Sequence, residues 1–266
     1  MAIFHLSVKC LSRSVGHSAV AAAAYRAGTV LRDKRTGIYH DYSRKRGVIF
    51  NRLLVPACAP KWNRNEFWDH AESAEKRKNS TVARECLVAL PHELAQTEQI
   101  ELSHRFASWL TDRYSIGVDC SIHSPGGMND SRNAHAHLLL STRVIGPDGF
   151  SQKTRVLDVA ITGSLEILEW RNRWAEMANE ALEFHQFCER IDSRSHIARR
   201  IIAVPTVKVG RHRWSQAQRE RNREIRRLNR ELSDAIAARR VLLKVSPPGA
   251  NLPNSAFLRS RHSRPK

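Results

Sequence analysis

The chain has 266 residues, 41% hydrophobic and 26% charged, enough for one sizeable core or one core with an appended element, and its balance is that of a largely globular, soluble protein. A formal net charge of +18 favours a polyanionic partner, foremost nucleic acid, and leaves a metallohydrolase of small substrates without an account of that charge. No apolar run approaches the roughly 18 residues of a membrane-spanning helix, and five cysteines without a Cys-x-x-Cys spacing argue against a disulfide framework and a cysteine-based zinc site.

In chain order, residues 3–9 alternate like a strand and lack the basic start and apolar core of a signal peptide, which reads as a cytoplasmic protein. Residues 17–28 hold Ala19 and Ala21 to Ala24, strong helix formers, with Gly28 as the C-terminal stop. Short strands are predicted over 31–42 and 46–54, around turns at Gly37 and Gly47. A helix over 63–79 starts from Asn63 or Asn65 as cap, and a strand over 82–90 ends at Pro91. A helix over 93–113 and strands over 116–123 and 134–143 follow, then a turn at Gly146 to Gly149. A long helix within 158–187 offers Leu165, Leu168, Trp174, Ala178 and Leu182 as core candidates.

Charge is unevenly placed: residues 1–193 hold 25 Lys and Arg against 22 Asp and Glu, residues 194–240 hold 14 against 4, and residues 241–266 hold 5 against none. Residues 211–240 read as a basic amphipathic helix with Ile225, Leu228, Leu232 and Ile236 on one face, open to three uses: a duplex clamp, a plain amphipathic helix or a two-stranded coil. The tail 241–266 is basic and reads as disordered.

The chemistry concentrates at Asn133-Ala134-His135-Ala136-His137-Leu138-Leu139-Leu140. On a strand His135 and His137 project to one face, and Leu138 to Leu140 read as buried. His123 closes the preceding strand, and the turn-rich segment 124–130 folds it back antiparallel beside the pair. Three neutral imidazoles with an open position suit a catalytic metal, although a His-x-His pair alone also fits surface or core histidines. Tyr25, at the end of the alanine-rich helix and followed by Arg26, offers a phenol accessible to a large substrate, or else a tyrosine packed on a sheet. Beside a metal in a basic protein it suggests phosphodiester transesterification through a phosphotyrosine.

With these residues the chain resembles the relaxases of the MobA/MobL family, within the broader group of HUH (His-hydrophobic-His) endonucleases. The resemblance covers about residues 1–210. It rests on Ile3 to Lys9, Ser12 to Ser14, Ser18 to Gly28, His40 to Lys45, Ala71 to Asn79, Val82 to Glu85, Arg132 to His137 and Arg190 to Ser195. Ala136 is smaller than the hydrophobe common at that position in the group. The resemblance implies an α+β fold with a central antiparallel sheet of about five strands and flanking helices, as a nicking domain over 1–210. The helix 211–240 and the tail 241–266 follow it.

It also implies nicking of one DNA strand at a plasmid transfer origin, single-stranded or hairpin, with attachment to the 5′ end. Accessory mobilisation proteins and a coupling protein are the implied further partners. In that reading His123, His135 and His137 bind one divalent cation, manganese, magnesium, zinc or nickel, and Tyr25 is the nucleophile. Glu85 completes the site or takes the phenol proton, and Asp130 orients a histidine. Arg26, Arg44, Lys45, Lys76, Arg77 and Lys78 contact phosphates. A rolling-circle replication initiator shares this chemistry, but there the tyrosine helix commonly follows the His-x-His strand, whereas Tyr25 precedes it. A DNA-binding regulator with structural histidines is the non-enzymatic alternative. The length leaves no room for the helicase or primase modules of larger relatives, so the chain reads as a minimal or truncated relaxase.

Overall fold

The computed structural model describes residues 3–124, 133–207 and 215–245. Residues 1–193 and those from Arg194 onward form two separate compact units, so the first unit ends before the position 210 at which the sequence resemblance stops. The first unit is built on a five-stranded sheet in which all neighbours run antiparallel, as expected. Its strands are β1 (Leu6–Ser12), β4 (Val48–Leu54), β5 (Thr81–Ala89), β6 (Val118–His123) and β7 (His135–Leu140), in the order β1-β5-β7-β6-β4. Two short hairpins stand apart from it: β2 (Val30–Arg32) with β3 (Tyr39–Asp41), and β8 (Arg143–Gly146) with β9 (Gly149–Lys153). The strand predicted over 134–143 is thus divided between β7 and β8.

Helices cover both faces, because alternate residues of the central strands are apolar on either side. Cys86, Val88, Cys120, Ile122, Ala136, Leu138 and Leu140 form a core with α3 (Gln96–Tyr114) and α5 (Ala160–Phe184), the latter following the short α4 (Arg155–Asp158). Leu11, Ala83 and Leu139 form the opposite core with α1 (Ala19–Ala27) and α2 (Arg64–Ala74). The Leu138 to Leu140 run therefore serves both cores.

On α5 the buried line is Gly163, Trp170, Trp174, Met177, Ala178 and Leu182. Leu165 and Leu168, expected in the core, are exposed instead. At about 100° per residue they fall on the side of the helix away from Trp170 and Trp174, a consequence of phase that hydrophobicity alone does not reveal.

Local chemistry sets the helix that carries the tyrosine. Ser18 Oγ accepts the Ala21 amide at the start of α1, and Gly28, at φ 64°, ends it with its N–H on the Ala24 carbonyl. A Cβ at Gly28 would also stand 3.1 Å from Val48 Cγ2, so glycine suits both the turn and the contact with β4. The alanines bury Ala19, Val20, Ala23, Ala24 and Ala27. For α2 the cap is Asn63, in a reciprocal box with Glu66; Asn65 instead binds the backbone of Arg32.

In the second unit the predicted basic helix is α6 (Ser215–Val245). The extended segment 201–207 lies along it. Asn222 donates to the Val207 carbonyl at 2.7 Å and accepts its N–H at 2.8 Å, and Asn229 does the same to Val204, both at 2.9 Å. Seven helical residues and three extended residues each advance about 10 Å, which explains the matched spacing of the two clamps. The expected tail lies outside the described residues from 246 onward. No described helix is long and apolar enough to cross a membrane.

Candidate active site

Antiparallel pairing of β6 and β7 sets His123 directly opposite His135, and His137 follows two residues on, on the same face. The three rings have centroids 4.4–5.7 Å apart, and one ligand nitrogen from each lies within 4.8 Å of the others. Among the described residues this is the one such group of histidines, cysteines or carboxylates.

Each ring has an acceptor that fixes its tautomer. His137 Nδ1 donates to Glu85 Oε1 at 2.6 Å, His135 Nδ1 to the Asn133 carbonyl at 2.9 Å, and His123 Nε2 to the Arg26 carbonyl at 2.7 Å. In the neutral rings the lone pairs are then on Nε2 of His135 and His137 and on Nδ1 of His123. Burial outweighs the opposing hydrogen bond to the Arg26 carbonyl and, with the nearby Lys45 cation, pushes His123 down to about 4. Burial also lowers His137, outweighing the opposing pull of Glu85. Both therefore stay neutral near pH 7, the protonation state a metal ligand needs.

Glu85 reaches His137 from β5, where Leu87 pairs with His137. Its other partner is Arg26: Nε to Oε1 at 3.0 Å and Nη2 to Oε2 at 2.9 Å. Burial opposes ionisation of Glu85, but the bonds from His137 and Arg26 prevail and hold it at about 2. An ionised carboxylate whose two oxygens are both engaged orients His137.

Tyr25 is 44% exposed at the end of α1 and stands edge-on to Tyr42, with ring centroids 5.2 Å apart. Lys45, from the loop before β4, lies between it and His123. Its Nζ donates to the Tyr25 carbonyl at 2.7 Å, lies 3.7 Å from the Tyr25 ring centre, and is 3.4 Å from His123 Nε2. Burial and the nearby Arg26 cation lower the Lys45 ammonium to about 8.

The expected phosphate contacts separate into three groups. Arg26 is turned inward, its guanidinium held by Glu85 and the Ala22 carbonyl with 12% of its side chain exposed. Arg44 is exposed beside Lys45 in the loop. Lys76, Arg77 and Lys78 are exposed beyond the end of α2, just before β5 begins. Along that nine-residue strand Glu85 is about 13 Å from its start and Ala89, opposite His135, about 26 Å. Asp130 lies outside the described residues.

The proximity of Lys45 and Tyr42 to Tyr25, and the Arg26–Glu85–His137 chain, were not read from the sequence. The signal present was the basic run Arg44-Lys45-Arg46 after a tyrosine, which carries no information on its spatial neighbour.

Comparison with known proteins identifies the family. The family model described as MobA/MobL matches residues 17–220. The chain is 39% identical over 236 residues to "Mobilization protein MobL" of Acidithiobacillus ferridurans, covering 79% of this chain and 62% of that one. It is 30% identical over 240 residues to "Conjugal transfer protein TraA" of Agrobacterium fabrum, covering 79% of this chain and 21% of that one. The chain thus spans less than two thirds of either relative. A solved structure, "Molecular Basis of Vancomycin Resistance Transfer in Staphylococcus aureus", superposes with a TM-score of 0.65 at 30% identity, covering 73% of this chain and all of that one. By motif order, fold and the extent of these matches, the chain belongs to the MobA/MobL family.

Proposed function

We propose that this chain is a DNA relaxase that nicks one strand at a plasmid origin of transfer and rejoins it later. The observation that carries the proposal is the exposed Tyr25 beside Lys45, next to three histidines oriented on one face of the sheet. In this reading His123, His135 and His137 hold one divalent cation, manganese, magnesium, zinc or nickel, which would supply charge neutralisation on the scissile phosphate. The donor set fits: three imidazoles, with Glu85 behind His137 and a backbone carbonyl behind each of the other two.

The phenol oxygen of Tyr25 attacks phosphorus in line. The bond from phosphorus to the 3′ oxygen breaks, the phenol proton passes to solvent, and the 3′ oxygen takes a proton to leave a free hydroxyl. The 5′-phosphotyrosine conserves the bond energy for the reverse step. Lys45 sits where an approaching phosphate meets a partly desolvated cation, and Tyr42 limits the orientations of the Tyr25 ring. Glu85 positions His137, and Arg26 holds Glu85. Origin DNA is the substrate partner; mobilisation accessory proteins and a coupling protein complete the proposed assembly.

The test is a denaturing gel. The protein is incubated with single-stranded oligonucleotides from the candidate origin of its own plasmid, with manganese or with EDTA. The expected product is a metal-dependent, protease-sensitive adduct on the 5′ end of the downstream fragment, absent in Tyr25→Phe while DNA binding persists. An adduct that survives in Tyr25→Phe removes Tyr25 from the role. Binding without an adduct across several metals and origins favours a regulator instead.

A further inference from the structure

We infer that α6 carries a second DNA contact, a stripe of four arginines that grips the phosphate backbone of duplex DNA. The inference rests on the reading that this chain works on DNA, but on none of the chemistry at Tyr25. Residues 215–239 contain seven arginines and no lysine. Four of them, Arg219, Arg223, Arg226 and Arg230, are spaced i, i+4, i+7, i+11. They therefore share one face, within roughly 60° of one another and spanning about 16 Å. All four are exposed, and among the described residues none of them is in an ion pair.

The neighbouring face differs. Arg227 falls among the acidic residues and is held by Glu224 at 2.8 Å and Glu231 at 3.7 Å. The carboxylates of α6 thus satisfy Arg227 and leave the stripe alone, an arrangement that like-charge repulsion disfavours unless an anion binds there.

The flank on the other side of the stripe from Arg227 is occupied. Asn222 and Asn229 clamp the backbone of Val207 and Val204, and Ile236 lies against the same segment, in a groove lined also by Ile201, Ile202 and Ala203. Ile225 is buried and Leu228 is exposed. The chain's own strap therefore covers the Ile236 end of the apolar face and leaves Leu228 exposed. Those clamps also fix the helix about its axis, with the arginine stripe about 80° around it from the two asparagines and exposed.

Three features select the occupant. Guanidinium groups match phosphate oxygens in a bidentate fork. The stripe has no large apolar residue beside it to insert into a lipid surface. Over about 16 Å of axis, duplex DNA presents on the order of ten phosphates, enough to meet all four side chains.

The experiment uses the full chain and a fluorescein-labelled 30-base-pair duplex of mixed sequence, with affinity measured from 50 to 300 mM salt. The variants are the fourfold Arg219→Gln, Arg223→Gln, Arg226→Gln, Arg230→Gln and the single Arg227→Gln, with helicity checked by circular dichroism. Each phosphate contact contributes about 0.9 to the slope of log K against log salt, so the fourfold variant should lose between about 3 and 4 of that slope. Arg227→Gln should leave it unchanged. A fourfold variant of intact helicity with the parental slope overturns the inference, as does binding to anionic phosphatidylglycerol vesicles without binding to the duplex. The nicking assay reports separately. A stripe-dependent slope without cleavage would refute the relaxase reading alone, and normal cleavage with an unchanged slope would refute the stripe alone.

Discussion

Glu85→Gln separates a carboxylate that positions a metal ligand from one that only holds the fold. Glutamine preserves size but has one acceptor and one donor where glutamate has two acceptors. Its amide must therefore present N–H to either His137 Nδ1 or the Arg26 guanidinium, donor against donor, at contacts that are 2.6 and 2.9–3.0 Å in the parent. The Arg26 side chain, 12% exposed, then loses its neutralising charge. Removing one partner of a mostly buried charged pair costs about 3 kcal/mol, which for a unit of this size lowers Tm by about 6–12 °C. Loss of the bond that orients His137 should weaken metal binding by about 10- to 100-fold.

The assays are scanning calorimetry without metal and titration calorimetry with manganese or nickel. Combining Glu85→Gln with Arg26→Met should recover part of the lost stability, because the stranded cation is gone, yet none of the metal affinity, because His137 remains unanchored. Metal affinity within twofold of the parent in Glu85→Gln, whatever happens to Tm, would refute the positioning role.

Lys45→Met removes the cation over Tyr25 and should slow adduct formation by about 10- to 100-fold in single-turnover gel assays, with partial recovery in Lys45→Arg; an unchanged rate would separate Lys45 from the reaction. Gly117→Ala should destabilise by about 1–3 kcal/mol in urea denaturation, because the new Cβ would lie 2.1 Å from Cζ of the fully buried Phe67 and something must shift. Acid should destabilise the metal-free protein. His123 titrates at about 4 in the folded state against 6.5 ordinarily, so the unfolded chain takes up a proton that the folded chain refuses, and stability falls as pH drops from 6.5 to 4 by up to about 3 kcal/mol. Glu85, at about 2 against 4.5, extends the loss below pH 4.5. Urea denaturation in EDTA at pH 7, 5.5 and 4.5 reads the slope; His123→Gln should flatten it between pH 6.5 and 4, and an equally steep variant would assign the acid sensitivity elsewhere.

Much of this molecule is determined by the sequence alone, wherever the information is local. Alternation places His135 and His137 on one face whatever the strand later packs against. Ser18, the alanine run and Gly28 specify a short helix that ends just past Tyr25, because caps and a left-handed glycine act within a few residues. The turn-rich stretch after His123 implied the antiparallel return that the β6–β7 register displays.

Only the tertiary structure decided the rest, since it depends on which residues meet across the sheet. Glu85 stands 52 positions before His137 and 59 after Arg26, and their ionic chain exists because β5 neighbours β7 and α1 packs on the sheet face that carries Ala83 and Leu139. The same packing turned Arg26 inward, although its charge in sequence is indistinguishable from that of Arg44. Leu165 and Leu168 are exposed for a related reason: helical phase is set by the surface a helix meets, and α5 meets the sheet through Trp170 and Trp174. Hydrophobicity and charge say what a side chain can do; the neighbours supplied by folding decide which of those things it does.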